Sequence, residues 1–326
     1  MRQTMSFVAS CALLLAAGCT PEPESPTAVA PPPPPPQSEA QTEIITLERG
    51  GFIPEGIEYD QANGRFLTGS LAEGTIFTIG RDGSVVPFIR DADLVSSVGI
   101  EADEPRDRLL VTNSDRAVFG DQTAAGHAKL GVYNLTTGER LAMVDLGATV
   151  ATPGSSARFF ANDVTVDGAG NAYVTDTLAA AVYRVSAATQ ASALHRFTNL
   201  PEGAQLNGIV YHDGGYLLVA AGQYLYKVPV ANPAGTTQVN VSEPVGGQDG
   251  IVLTADGRLV ATSNSATEPQ LVAFVSSDNW ASARRAGAAP LTGQATTAAI
   301  VGDEIWAVHP HFADAEPPTI ERGVFE

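Results

Sequence analysis

Glu55, Asn162, Asn207 and Asp249 occupy four segments of one shape: "PEGIEY" (54 to 59), "ANDVTV" (161 to 166), "LNGIVY" (206 to 211) and "QDGIVL" (248 to 253). In each, an oxygen-bearing side chain opens a strand-like alternation of apolar residues. Two carboxylates and two amide carbonyls gathered at one point form a hard, all-oxygen donor set whose two charges match a divalent cation. Calcium suits it best, because calcium accepts irregular oxygen cages completed by water while magnesium demands octahedral geometry. Another divalent cation stays open, but a set without histidine or cysteine speaks against zinc. A cation so held polarises a carbonyl or phosphoryl oxygen and stabilises the anion that forms under attack. A neighbouring carboxylate can take a proton from water or attack the electrophile itself. Two blander readings stand beside this one: a purely structural ion plugging a channel, and ordinary turns, which also favour Asn-Gly and Asp-Gly.

The elements that would have to bring these residues together are strands. Between residues 44 and 312, period-two alternation recurs in short runs such as "GRFLTGS", "NAYVTDT" and "YLLVAAG", broken by glycine, proline, aspartate and asparagine. No long stretch has helical periodicity, so the chain is all-β. The strand openings Glu55, Val98-Gly99, Asn162, Asn207, Asp249 and Thr297 lie 42 to 63 residues apart, mostly 42 to 48. That is the repeat of a four-stranded propeller blade, and six openings predict a six-bladed β-propeller over 44–326. The run "EIITLERG" (43 to 50) is expected to supply the outer strand of the last blade and so close the ring. A β-sandwich or solenoid is the alternative, but it leaves the repeated oxygen-bearing residue unexplained. In a propeller the innermost strands begin beside the axis, so the four side chains converge there. Val98 and Thr297 mark blades two and six without adding charge.

"PEGIEYD", "ANDVTVD", "LNGIVY" and "QDGIVLTADGRL", taken in order, resemble the senescence-marker-protein-30 and gluconolactonase-like six-bladed propellers, relatives of diisopropylfluorophosphatases and paraoxonases. The likeness spans roughly residues 54 to 290. It implies that Glu55, Asn207 and Asp249 are metal ligands, that Asn162 is a fourth ligand or a substrate contact, and that Asp249 is also the catalytic base or nucleophile. Many sugar-lactone hydrolases of this family place an arginine two residues before the asparagine matched by Asn162. Here that slot is Phe160, with Arg158 displaced; both are candidate substrate contacts, which points to a more apolar lactone or ester in a phenylalanine-lined pocket, or to a Phe160 buried between blades. Residues 114 to 129 and 148 to 160 are expected on the face bordering the metal, as lids or as tolerated insertions. His127, His309 and His311 belong to no aligned motif, no "GxSxG" elbow is present, and Trp280 and Trp306 are expected to pack between blades.

The amino terminus reads differently. "MRQTMSFVASCALLLAAGC" has one early positive charge, a short apolar run and small residues before Cys19, which predicts a signal peptide over 1–19. "AAGC" resembles a lipoprotein lipobox, making Cys19 the lipidated residue, with simple secretion as the alternative. Residues 20–43 are proline-rich and polar, a tether favouring extended polyproline II. The expected location is therefore the cell envelope, with membrane contact only through the N-terminal lipid. The only cysteines are Cys11 and Cys19, so residues 44–326 hold neither disulfides nor cysteine-ligated metals. A net charge of -18 without an offsetting basic stretch argues against nucleic acid. The expected activity is calcium-dependent hydrolysis of a small-molecule lactone or ester; the alternative is a non-catalytic tethered propeller that binds a small ligand or a protein.

Overall fold

The computed structural model describes residues 43–151, 156–265, 267–312 and 316–326. The predicted signal, Cys19 and all of the tether before Glu43 lie outside the described residues. No helix among those described is long and apolar enough to cross a membrane.

Six sheets follow one another along the chain as the blades of a β-propeller. Their innermost strands are Ile57–Asp60, Ser96–Asp103, Phe159–Val166, Leu206–His212, Gln248–Leu253 and Ala298–Val301. The ring closes as the sequence predicts. Ile44–Thr46 joins the sixth blade antiparallel to Thr319–Arg322, with Ile45 opposite Ile320. Blades three and five depart from the four-stranded expectation, because the two-residue strands Gly126–His127 and Asn240–Val241 add to them in parallel.

The sequence pattern follows from where each strand lies. Second strands such as Ala172–Asp176, Tyr216–Ala221 and Leu259–Ser263 are buried at every residue, because blades pack on both of their faces. They read as nearly continuous small and apolar runs. The outer strand Arg140–Asp145 is exposed or half-buried throughout and carries charge. Apolar clusters fill the spaces between neighbouring blades. Trp306 packs with Phe66 and Phe77 between blades six and one, and Trp280 with Phe274 and Leu218 between blades four and five. Each such ring or leucine, taken out of water, contributes about 1.5–3 kcal/mol.

Four blades share a further irregularity. Pairing of the innermost strand with the next one slips between Ser97 and Ile100, Ala161 and Val164, Leu206 and Ile209, and Gln248 and Ile251. Each slip is a bulge that sets two residues against one, which frees their backbone from the ladder and re-aims their side chains. The two residues are 98–99, 162–163, 207–208 and 249–250, the repeated strand openings themselves.

Buried hydroxyls satisfy the backbone that the bulges release. Thr112 accepts from the Gly99 N–H at 2.8 Å and donates to the Asn162 carbonyl of the next blade at 2.7 Å. Thr175 does the same one blade on, accepting from Asp163 N–H at 3.1 Å and donating to the Asn207 carbonyl at 2.6 Å. Thr296 donates to the Glu55 carbonyl, stitching blade six to blade one.

Thr175→Val keeps the side-chain shape while leaving the Asp163 N–H and the Asn207 carbonyl without this partner. It is expected to lower stability by about 1–3 kcal/mol, read as an earlier thermal unfolding transition. Thr78→Val, on a more exposed strand, is expected to stay within about 0.5 kcal/mol of wild type.

Candidate functional site

Glu55, Asn162, Asn207 and Asp249 stand at the same end of the innermost strands of blades one, three, four and five. Asp249 is the most constrained of them. It is 6% exposed, Asn264 Nδ2 donates to its Oδ2 at 2.7 Å, and the Asn207 side chain also bonds to it. Asn162, 7% exposed, donates Nδ2 to Thr177 Oγ1 at 3.0 Å. That hydroxyl passes its own proton to the Leu206 carbonyl at 2.8 Å. Asn162 Oδ1 is therefore the atom left for a ligand. Glu55 and Asn207 are half-buried, and the Glu55 main chain is pinned by Thr296.

Two further residues belong here that the sequence reading passed over. Asp163 follows Asn162 within the bulge, at the position where blades one, two, four and five have Gly56, Gly99, Gly208 and Gly250. Its Oδ1 accepts from Val164 N–H at 2.9 Å and its Oδ2 from Ile209 N–H of the next blade at 3.2 Å. An acid at a slot that four blades fill with glycine and the sixth with Ala298 is the signal that marks it. Asn264, which orients Asp249, sits just past the end of the second strand of blade five and repeats in no other blade, so no periodicity reveals it.

These acids crowd one another. Burial pushes the Asp249 carboxyl up to about 7 against the lowering effect of its amide partners. Burial, with Asp249 nearby, likewise brings Asp163 to about 7. Glu55 is held well above the usual carboxylate range by burial and then by the charges of Asp249 and Asp163. Among the described residues no lysine or arginine forms an ion pair with any of the three. Farther along the channel, burial raises Glu58 to about 8, and burial with the Glu58 charge raises Glu101. A cavity of about 310 Å³ lies on this side, lined by Glu58, Glu101, Asp163, Thr165 and Tyr211. Glu55 and Asp249 do not line it, and Asp163 is the carboxylate common to both regions.

The donor chemistry fits a hard divalent cation: several oxygens, an excess of negative charge and no competing cationic side chain. Among the described residues no three His, Cys, Asp or Glu side chains group tightly enough to hold an ion by themselves. A cation at this place would have to draw on the amides of Asn207 and Asn162 as well as on carboxylates.

Other singled-out residues have different surroundings. Phe160 is buried with Val98 and Val118 and meets the Phe119 ring at 4.8 Å. Of the two alternatives left by the sequence, burial applies to its side chain. Arg158 donates to the carbonyls of Val118, Ala124 and Asp121 and to Gln122 Oε1. Its guanidinium staples the 114–129 loop. His127 pairs in the extra strand of blade three and approaches Asn113 Oδ1 at 3.4 Å. His309 is buried against Glu321 at 3.1 Å and the Gln294 carbonyl. His311 adopts a left-handed backbone, φ 51°.

No family model and no curated protein matches the chain. Solved structures do resemble its fold. A Xanthomonas campestris gluconolactonase superposes with a TM-score of 0.60 at 15% identity, over 88% of this chain and 91% of that one. The Agrobacterium tumefaciens calcium-binding protein regucalcin gives 0.58 at 16% identity, over 86% and 93%. Virginiamycin B lyase from Staphylococcus aureus gives 0.57 at 11%, over 87% and 99%. At these identities the likeness is one of fold alone, that of a β-propeller.

The raised carboxyls set a pH dependence. A carboxyl whose folded pKa exceeds its unfolded value favours the fold while protonated, and that contribution is lost as pH rises through the folded value. For Glu58 the window runs from about 4.5 to about 8. Glu58→Gln, in the presence of chelator, is therefore expected to raise the Tm by about 3 °C or more at pH 8.5 and to change it by less than about 1 °C at pH 4. Equal shifts at both pH values would contradict a charged Glu58 in the channel.

Proposed function

We propose that the chain is a divalent-cation-dependent hydrolase of a lactone, ester or related small electrophile, with calcium the best-suited cation. The observation that carries this reading is Asp249, a buried carboxylate fixed by Asn264 and Asn207 beside two further carboxylates, with no cationic side chain paired to them among the described residues. The fold likeness to a gluconolactonase and to a calcium-binding protein supports it.

Glu55, Asn207 and Asp249 would hold the cation, with Asn162 Oδ1 as a fourth donor or a contact to substrate. When bound, the ion supplies Lewis-acid polarisation of the substrate carbonyl and stabilisation of the developing oxyanion. Asp249 supplies the base or the nucleophile. Asn264 holds its Oδ2, which fixes the orientation of the carboxyl group. Before any cation is bound, burial raises the Asp249 carboxyl above the ordinary aspartate range. Asn207 bonds the same carboxylate and adds a neutral donor without further charge.

A second reading has one observation in its favour. The absence of a tight ligand cluster among the described residues suits a non-catalytic propeller that binds a small ligand or a protein. In either case the expected placement is the cell envelope, anchored through lipid on Cys19, or secretion if Cys19 is not lipidated.

A panel of lactones and esters separates the readings. Asp249→Asn is expected to lower kcat/KM by about 10²–10⁴-fold, and chelator to remove hydrolysis while the circular dichroism spectrum is unchanged. Hydrolysis by Asp249→Asn at the wild-type rate would overturn the assignment of Asp249.

A further inference from the structure

The ring around the axis is not oxygen-bearing on every side. Blade two contributes Val98, 1% exposed, which packs with Val118 and Phe160 and against Leu71. This apolar patch continues outward. Leu71 also lines a groove of about 620 Å³ together with Val95, Arg116, Phe119 and Phe312. Phe119 in turn stands edge-on over Phe160, two residues from Asn162. Phe119 is 56% exposed, Phe312 54% and Val95 45%. Three such side chains on one groove are unusual, since large apolar residues on a surface are ordinarily scattered.

The groove belongs to the same face as the candidate site. It is built from segments that follow second strands, at Leu71, Phe119 and Phe312, and from the start of an innermost strand at Val95, and all of these lie where the ring residues begin. Leu71 N–H bonds to the Ile53 carbonyl, two residues before Glu55. Arg158 fastens the Phe119 segment from beneath by bonding Val118, Asp121 and Ala124. The lining amounts to ten residues, against roughly twenty to thirty per side in a stable protein interface. Its size therefore fits part of a small molecule rather than a protein partner.

We infer that this groove takes the alkyl or aryl substituent of the substrate, so that the site acts on lactones or esters with an apolar chain rather than on polyhydroxylated ones. The inference rests on the hydrolase reading for its reacting end and on the groove alone for its selectivity. Phe119 and Phe312 are binding residues in this account, and Leu71, which lines the groove, packs against the buried ring residue Val98.

Binding and hydrolysis test the two parts separately. Cyclopentanone and its 2-butyl and 2-octyl derivatives keep ring and carbonyl but cannot be hydrolysed, and their affinities are read by calorimetry on the wild-type chain. Affinity is expected to rise about two- to fourfold for each methylene that enters the groove. Phe119→Ala combined with Phe312→Ala is expected to flatten that dependence at least tenfold for the octyl compound, and Phe119→Leu to retain part of it. Affinity independent of chain length, or a dependence that survives the double replacement, overturns the groove. Hydrolysis of the matching γ-lactones is measured in parallel. Chain-dependent binding without hydrolysis keeps the groove and sinks the hydrolase, while hydrolysis indifferent to chain length does the reverse.

Discussion

The innermost strands approach the axis so closely that most of them have no room for a side chain just after the ring position. A Cβ on Gly56 would lie 2.3 Å from the Val98 carbonyl oxygen, one on Gly99 2.6 Å from that of Asn162, and one on Gly250 1.9 Å from Thr297 Oγ1. Gly208 meets Ile251 N at 2.6 Å. Distances this short exclude any L side chain unless backbone moves. The crowding at the glycines is what draws Glu55, Asn162, Asn207 and Asp249 to one end of a narrow channel. The bulges that turn these residues inward and the threonines that satisfy the released backbone are consequences of the same tightness.

Blades three and six lack this glycine; blade six has Ala298, while in blade three Asp163 stands in the slot and adds a carboxylate where space is scarcest. The contrast with the opposite end of the innermost strands is instructive. Asp60 and Asp103 are also buried, yet Arg65 reaches Asp60 at 3.0 Å and Arg106 reaches Asp103 at 2.9 Å. The same arginines, or their neighbours, then bond onward to the next blade, Arg65 to the Leu135 carbonyl and Arg108 to that of Gly170. There the fold neutralises its buried acids and uses them as inter-blade staples. On the axis it leaves them without a cationic partner, which is costly in a folded chain and makes sense where a cation is to be bound.

Much of this architecture is legible in the residues because a propeller repeats. Period-two runs, openings at blade spacing and a leading strand without a partner of its own lead to six blades and to the closure by Ile44–Thr46. The same repetition hides what occurs once. Asp163 was passed over because Asn162 beside it already filled the expected role, although its replacement of a repeated glycine was readable. Asn264 has no counterpart in the other blades. Thr112 and Thr175 look like ordinary strand formers, and only the pairing slip opposite them shows why a hydroxyl is needed. Arg158 illustrates the converse, because a charged residue near a site reads as a substrate contact, and the four acceptors in one loop around its guanidinium are seen only in the fold.

Whether the axial oxygens act together as a cation cage is decided most directly by calorimetric titration of the chain with calcium, beside Asn207→Ala and Asp249→Ala. One-to-one binding by the wild type, lost in both variants while their circular dichroism is unchanged, is the result predicted here. A folded wild type that binds neither calcium, magnesium nor manganese would contradict the account and leave the unbalanced carboxylates as part of a propeller that works without metal.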